Sequence, residues 1–316
     1  MDKFLFLFII VFCVTKASSS YEEPNETRRI TAAVENQFPY MVSLQELSKI
    51  HDIHTTLIRG HRCGGVLVTL QHALTAASCF LQYNSSQHQY VPIDRDEYRV
   101  FAGSVSLTND SSSDRVRRIA NTTAHPEFNA PVDWNLHNIG IIILGSPFLR
   151  TTVASISIRD IGNPATYVQC TGMGWQRGTR LMYNTMMAFN DTMCSRLTQS
   201  VPNTLCAWPG TGVGCVGEEG SPLVCQDHVI GVYIIISPCT STSLGAQLFV
   251  RASRYTTWIN TVIALPIPEL GPEPSTVPPP TTTTTAAPGA AFMFQPGMTL
   301  LAVMVVAQTI RASFIN

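Results

Sequence analysis

The stretch CVGEEGSPLVC, from Cys215 to Cys225, constrains the fold more than any other part of the chain. Two cysteines bracket a Gly-rich turn that runs into Pro-Leu-Val, the start of a strand. A turn of this kind projects its middle residue from a tight bend and leaves adjacent backbone N–H groups pointing outward. In a hydrolase the residue at the apex is the nucleophile, and the N–H groups form an oxyanion hole.

The rest of the chain must supply a scaffold for such a turn. Its 316 residues suffice for one large core or two smaller ones, and a formal net charge of −1 gives no reason to expect nucleic acid or an acidic partner. Of nine cysteines, Cys13 lies in an apolar N-terminal run; the other eight are Cys63, Cys79, Cys170, Cys194, Cys206, Cys215, Cys225 and Cys239. An even number in a secreted chain reads as disulfides, although spacing alone leaves the connectivity open. Residues 1–19 have the layout of a signal peptide: Lys3, an apolar run from Phe4 to Val14, then Ala17-Ser18-Ser19. That run is too short to span a bilayer as an anchor. It directs the chain to an oxidising compartment in which the cysteines can pair.

The bracketed turn resembles the nucleophile loop of the trypsin/chymotrypsin-like serine proteases, C-x-G-D-S-G-G-P-L-x-C. Glu218 stands at the Asp position, Glu219 at the nucleophilic Ser position, and Ser221 at the second Gly of the pair. HRCGGVLVTLQHALTAASC, His61 to Cys79, resembles the family's C-G-G-x-L-I and T-A-A-H-C elements, with Ser78 at the His position. HPEFN (His125 to Asn129) and HNIGIIIL (His137 to Leu144) resemble the next two elements, and Asn138 takes the place of the Asp that orients the catalytic His. His72 precedes Ser78 by six residues on a strand, and His137, next to Asn138, is expected to point to the opposite face of an extended segment. Neither is expected to substitute for the missing imidazole.

The resemblance implies an all-β domain over residues 30–265: two antiparallel six-stranded β-barrels with a C-terminal helix, chymotrypsin-like. It implies the bridges Cys63–Cys79, Cys170–Cys225, Cys194–Cys206 and Cys215–Cys239, and the cleavage of a short pro-segment, residues 20–29, between Arg29 and Ile30. The new amino terminus would then pair with Glu218. Gly217 and Glu218 would lie in the oxyanion loop, and Val213, Ile236 and Gln247 at the specificity pocket, with Ile236 obstructing its mouth. ASRYTTWINTVI, Ala252 to Ile263, carries apolar residues at helical spacing.

Beyond Leu265 the composition changes. Residues 266–290 are Pro/Thr-rich and read as a stiff stalk, and residues 291–316 read as a hydrophobic anchor signal, GPI in preference to a transmembrane helix or a secreted end. Sequons stand at Asn25, Asn84, Asn109, Asn121 and Asn190, as suits a glycosylated surface. His51 and His54 form an H-x-x-H with no third ligand in view, so no metal and no cofactor is expected.

With Ser78, Asn138 and Glu219 at the triad positions, the expectation is a chain that is not an enzyme. It is a non-catalytic serine protease homologue, on the extracellular side of the plasma membrane or secreted, that binds an active protease or a surface receptor as decoy, cofactor or adhesion module. The argument is electrostatic as well: a carboxylate at position 219 puts negative charge where acyl transfer develops it. The alternative is a serine-type endopeptidase with residual or unconventional activity. Glu218 and Glu219 would offer paired-carboxylate chemistry only by facing one cavity.

Overall fold

A computed structural model of the chain describes residues 30–52, 58–108, 111–130, 132–175, 178–198, 201–209, 218–234 and 246–271. The signal, the pro-segment with Arg29, the C-terminal stretch from 272, and the second half of the H-x-x-H pair lie outside these residues.

After the short β1 (Thr31–Ala32), the first barrel takes β2 (Met41–Glu46), β3 (His61–Thr69) and β4 (His72–Thr75). A separate hairpin, β5 (Leu81–Asn84) and β6 (Gln89–Pro92), leaves the barrel before β7 (Tyr98–Ala102), β8 (Val116–Ala124) and β9 (Gly140–Leu144) complete it. The strands close in the order β2-β3-β4-β9-β8-β7, all antiparallel. Closure removes the open edges that β-branched runs such as the Ile141-Ile142-Ile143 of β9 would otherwise expose. Every residue of β9 is buried. Gly103, at φ +79°, follows the last residue of β7 and ends the strand.

The second barrel consists of β10 (Tyr167–Gly174), β11 (Met182–Phe189), β12 (Thr204–Trp208), β13 (Pro222–Cys225), β14 (His228–Ile234) and β15 (Gln247–Arg251), with α1 (Asp191–Leu197) between β11 and β12. The order β11-β10-β13-β14-β15-β12 closes through a β11–β12 pairing, and β1 adds to the outside of β11. On β11 the period of two is plain: Asn184, Met186 and Ala188 are buried while their neighbours are half-buried. After a 3-10 turn, α2 (Thr256–Ile263) seats Ile259 and Val262 in the core beside Tyr255. The observed fold is the all-β, two-barrel architecture with a C-terminal helix.

Three disulfides form: Cys63–Cys79, Cys170–Cys225 and Cys194–Cys206. Each contributes about 2–4 kcal/mol. Cys215–Cys239 lies outside the described residues. Among those residues, no helix is long and apolar enough to cross a membrane.

Candidate functional site

The site forms where the two barrels meet. The first barrel supplies a 3-10 turn, Ala77–Phe80, that follows β4 and is tied to β3 by the Cys63–Cys79 bridge. It also supplies the turn before β9, where His137 adopts a left-handed φ of 55° and Ile139 N–H donates to His137 O at 2.7 Å. The second barrel supplies the turn into β13. Gly220 there has φ +86°, and a Cβ on it would overlap Thr75 Oγ1 and Gly64 O. Only glycine fits where the two backbones come so close. Gly64 N–H donates to Glu219 O at 3.0 Å and Gly220 N–H to Tyr233 O at 2.9 Å, which fixes the turn from both sides.

These elements bring Ser78, Asn138 and Glu219 together. Asn138 Oδ1 accepts from Ser78 N–H at 2.9 Å. Its Nδ2 donates to Trp134 O and to Ser78 Oγ, both at 2.9 Å. Ser78 Oγ in turn donates to Glu219 Oε1. Asn138 and Ser78 are buried, at 0% and 3% exposure, and of the three only Glu219 is half-buried. Burial pushes the Glu219 carboxyl above its ordinary value; its hydrogen bonds to Ser78, Trp134 and Asn138 and the nearby Arg62 guanidinium oppose the shift without cancelling it.

Glu218 sits differently. Its Oε1 lies 3.1 Å from His61 Nε2 and accepts from the Trp175 N–H at 3.2 Å. His61 Nδ1 is 2.6 Å from Ser43 Oγ, and the imidazole packs edge-on to Trp175. Hydroxyl, imidazole and carboxylate stand in line here, yet Ser43 has no exposed surface, so its oxygen meets no substrate. Sequence reasoning passed over Ser43 and His61. Their only signal is polarity on strands that are otherwise apolar: both are fully or nearly buried beside Met41, Leu44 and Cys63. The two glutamates therefore do not share a cavity. Burial next to both carboxylates also raises the Tyr233 hydroxyl pKa.

Of the other expected residues, Gln247 is buried on β15 and pairs with Ala207 of β12. Ile30 is partly exposed ahead of β1. Val213, Cys215, Gly217, Ile236 and Cys239 lie outside the described residues, as do Asn25 and Asn109. Asn84, Asn121 and Asn190 are half-buried; Asn190 caps α1 by accepting from Met193 N–H at 2.8 Å. His72 bonds to Thr69 through Nδ1 at 2.8 Å within the β3–β4 turn, away from Ser78. Burial lowers its pKa. His137 is not extended, contrary to expectation; its left-handed turn carries the ring to Tyr255, 3.1 Å from the hydroxyl. Among the described residues, no histidine is hydrogen-bonded to Ser78 or Glu219.

Comparison with known proteins follows the same line. Residues 28–259 match the family described as Trypsin. Chymotrypsin-C of Rattus norvegicus is 31% identical over 282 residues, which are 81% of this chain and 97% of that protein. A serine protease of Anopheles gambiae is 29% identical over 74% of this chain and 79% of that protein. Among solved structures, neuropsin, a serine protease expressed in the limbic system of mouse brain, superposes with a TM-score of 0.59 at 23% identity over 74% of this chain and 98% of its own. A mutant of human heparin binding protein (CAP37) gives 0.58 at 22% identity over 77% and 99%. These last two carry the fold alone. The expectation that the chain is not an enzyme is corrected here: the chain matches the Trypsin family, and the relatives named above include chymotrypsin-C and a serine protease, so the family points to an enzyme.

Proposed function

Since the chain belongs to the trypsin family, we propose that it is an extracellular endopeptidase of unconventional kind, made as a precursor, which works on extended polypeptide through the Glu219 carboxyl. The observation that supports this reading is the placing of Glu219: at the apex of the turn, half-buried, bonded to Ser78 and raised in pKa by burial. In this reading Glu219 in its carboxylate form takes a proton from a water molecule. The water oxygen adds to the peptide carbonyl, and the carboxyl then returns the proton to the departing amine as the C–N bond breaks. Ser78 and Asn138, which are buried, position the carboxyl and touch no substrate. His61 holds Glu218 in the precursor, and cleavage after Arg29 delivers an amino terminus that competes for Glu218. The signal-like layout of residues 1–19, the sequons and the anchor-like end support a location outside the cell, and the disulfides fit that compartment.

A second reading, protein recognition at the cell surface, is favoured by one observation. Ser78 and Asn138 satisfy each other inside the protein and leave the cleft a shaped surface with a single acidic group. One experiment separates the two. The secreted chain is cut after Arg29, the new Ile30 terminus is verified, and an unfolded protein is added while products and bound polypeptide are both measured. Peptide products that vanish in Glu219→Gln support the first reading. Saturable binding without products, in wild type and variant alike, contradicts it and leaves recognition.

A further inference from the structure

His125, Glu127 and His137 gather where the chain passes from the end of β8 to the turn before β9, against Tyr255 and Trp258. One ligand atom from each lies within 4.8 Å of the others. The two imidazoles are stacked, 5.2 Å apart at 12°. Glu127 Oε2 is 3.6 Å from His137 Nε2 and 4.0 Å from His125 Nδ1. Packing explains the rings' contacts with Tyr255 and Trp258. It does not explain why a carboxylate closes over both of them.

We propose that His125, Glu127 and His137 form a binding site for a divalent transition-metal ion of the zinc class, with water as the remaining ligand. Two imidazoles and a carboxylate are the donor set that borderline-soft zinc prefers, whereas calcium and magnesium call for oxygen ligands. Bonds of about 2.0–2.1 Å in a tetrahedral shell put donors roughly 3.3–3.4 Å apart. The two Glu127 separations need a contraction of less than an ångström, which its 68% exposed side chain has the freedom to supply; the imidazole nitrogens, within 4.8 Å of each other, must draw together by up to about 1.5 Å. His125 Nδ1 accepts a long 3.3 Å bond from the Glu127 N–H, which the metal would replace.

The outer partner is in place as well. Tyr255 Oη lies 3.1 Å from His137 Nδ1. Nδ1–H donating to that oxygen leaves the Nε2 lone pair free toward Glu127. Metal-bound histidines are commonly oriented in this way. The left-handed φ of His137 is strained for a residue other than glycine and is held where the ring reaches this cluster. Because Asn138 follows directly, a cation on His137 also fastens the turn that carries it. The site uses none of the residues assigned to peptide chemistry and stands whichever functional reading holds.

The test is a titration of the chelator-stripped, secreted full chain with zinc chloride, read by calorimetry and by Trp258 fluorescence. One equivalent should bind in the micromolar range, about 8 kcal/mol, and calcium should not compete. Three variants keep the packing: His125→Phe retains a ring, Glu127→Gln retains the volume, and His137→Asn suits a left-handed backbone. Each should weaken zinc binding at least tenfold, and Tyr255→Phe should weaken it by about tenfold through lost orientation. His51→Ala should leave it unchanged. No stoichiometric binding at about 0.1 mM zinc, or equal affinity in wild type and His125→Phe/His137→Asn, overturns the proposal.

Discussion

Glu218 and Glu219 are consecutive in the chain and opposite in circumstance. Glu218 turns inward between the barrels, where an imidazole and a backbone N–H receive it. Glu219 meets a hydroxyl and an amide, while burial pushes its carboxyl toward the neutral form. One residue type in one turn thus yields a structural latch and a titrating group. At Glu219 the desolvation penalty outweighs its hydrogen bonds and the nearby Arg62 guanidinium.

The comparison breaks most severely at the residue that separates the two environments. Gly220→Ala must move Thr75 and the Gly64 carbonyl from a position of φ +86°, so both contacts fail together. A loss of at least about 3 kcal/mol is expected in denaturant unfolding, larger than for any single change to the cleft. Next comes His61→Ala, which strips Glu218 of its buried partner and should cost about 2–3 kcal/mol. Ser78→Ala removes a neutral hydrogen bond from Glu219 and should cost about 1 kcal/mol in the same assay. Equal losses from these last two would erase the distinction between the glutamates.

Two pH effects of opposite sign sharpen it further. The folded-state pKa of Glu219 lies above the ordinary value of 4.5, so the unfolded chain releases its proton first. Stability from this group is whole below 4.5 and declines as pH rises through the folded value. Glu219→Gln should therefore gain stability over wild type at pH 7 and lose that gain at pH 4. His72 has a folded value below 6.5, so its contribution is present above 6.5 and is lost on acidification. His72→Gln should flatten that smaller dependence. Unfolding curves at four pH values check both signs.

Much of this was legible in the sequence, and the exceptions are instructive. The resemblance carried by the cysteine frame and by HRCGGVLVTLQHALTAASC and HNIGIIIL implied the two β-barrels, and the wholly buried, β-branched GIIIL agrees with it. The β13–β14 hairpin gave no such sign: its turn places Gln226 and Asp227 at positive φ, where the usual indication is Asn-Gly. Tertiary register, set by Cys225 opposite His228, overrides the local preference. Ser78, Asn138 and Glu219 could be named from motif positions, but their mutual bonding and the desolvation of Glu219 depend on two barrels meeting. The replacement of all three triad residues, with a carboxylate at position 219 as a further argument, led to the expectation of a chain without enzymatic activity, which the family match and the named protease relatives correct. His61 was missed because its partner lies 157 residues away across the junction.

The most direct measurement is the pH dependence of polypeptide cleavage by the chain cut after Arg29, with Glu219→Gln alongside. The account predicts turnover that rises with pH along one limb, set by a carboxyl above 4.5, and a loss of about 10²-fold or more in the variant. Turnover equal in both proteins, or none in wild type at any pH, would contradict it.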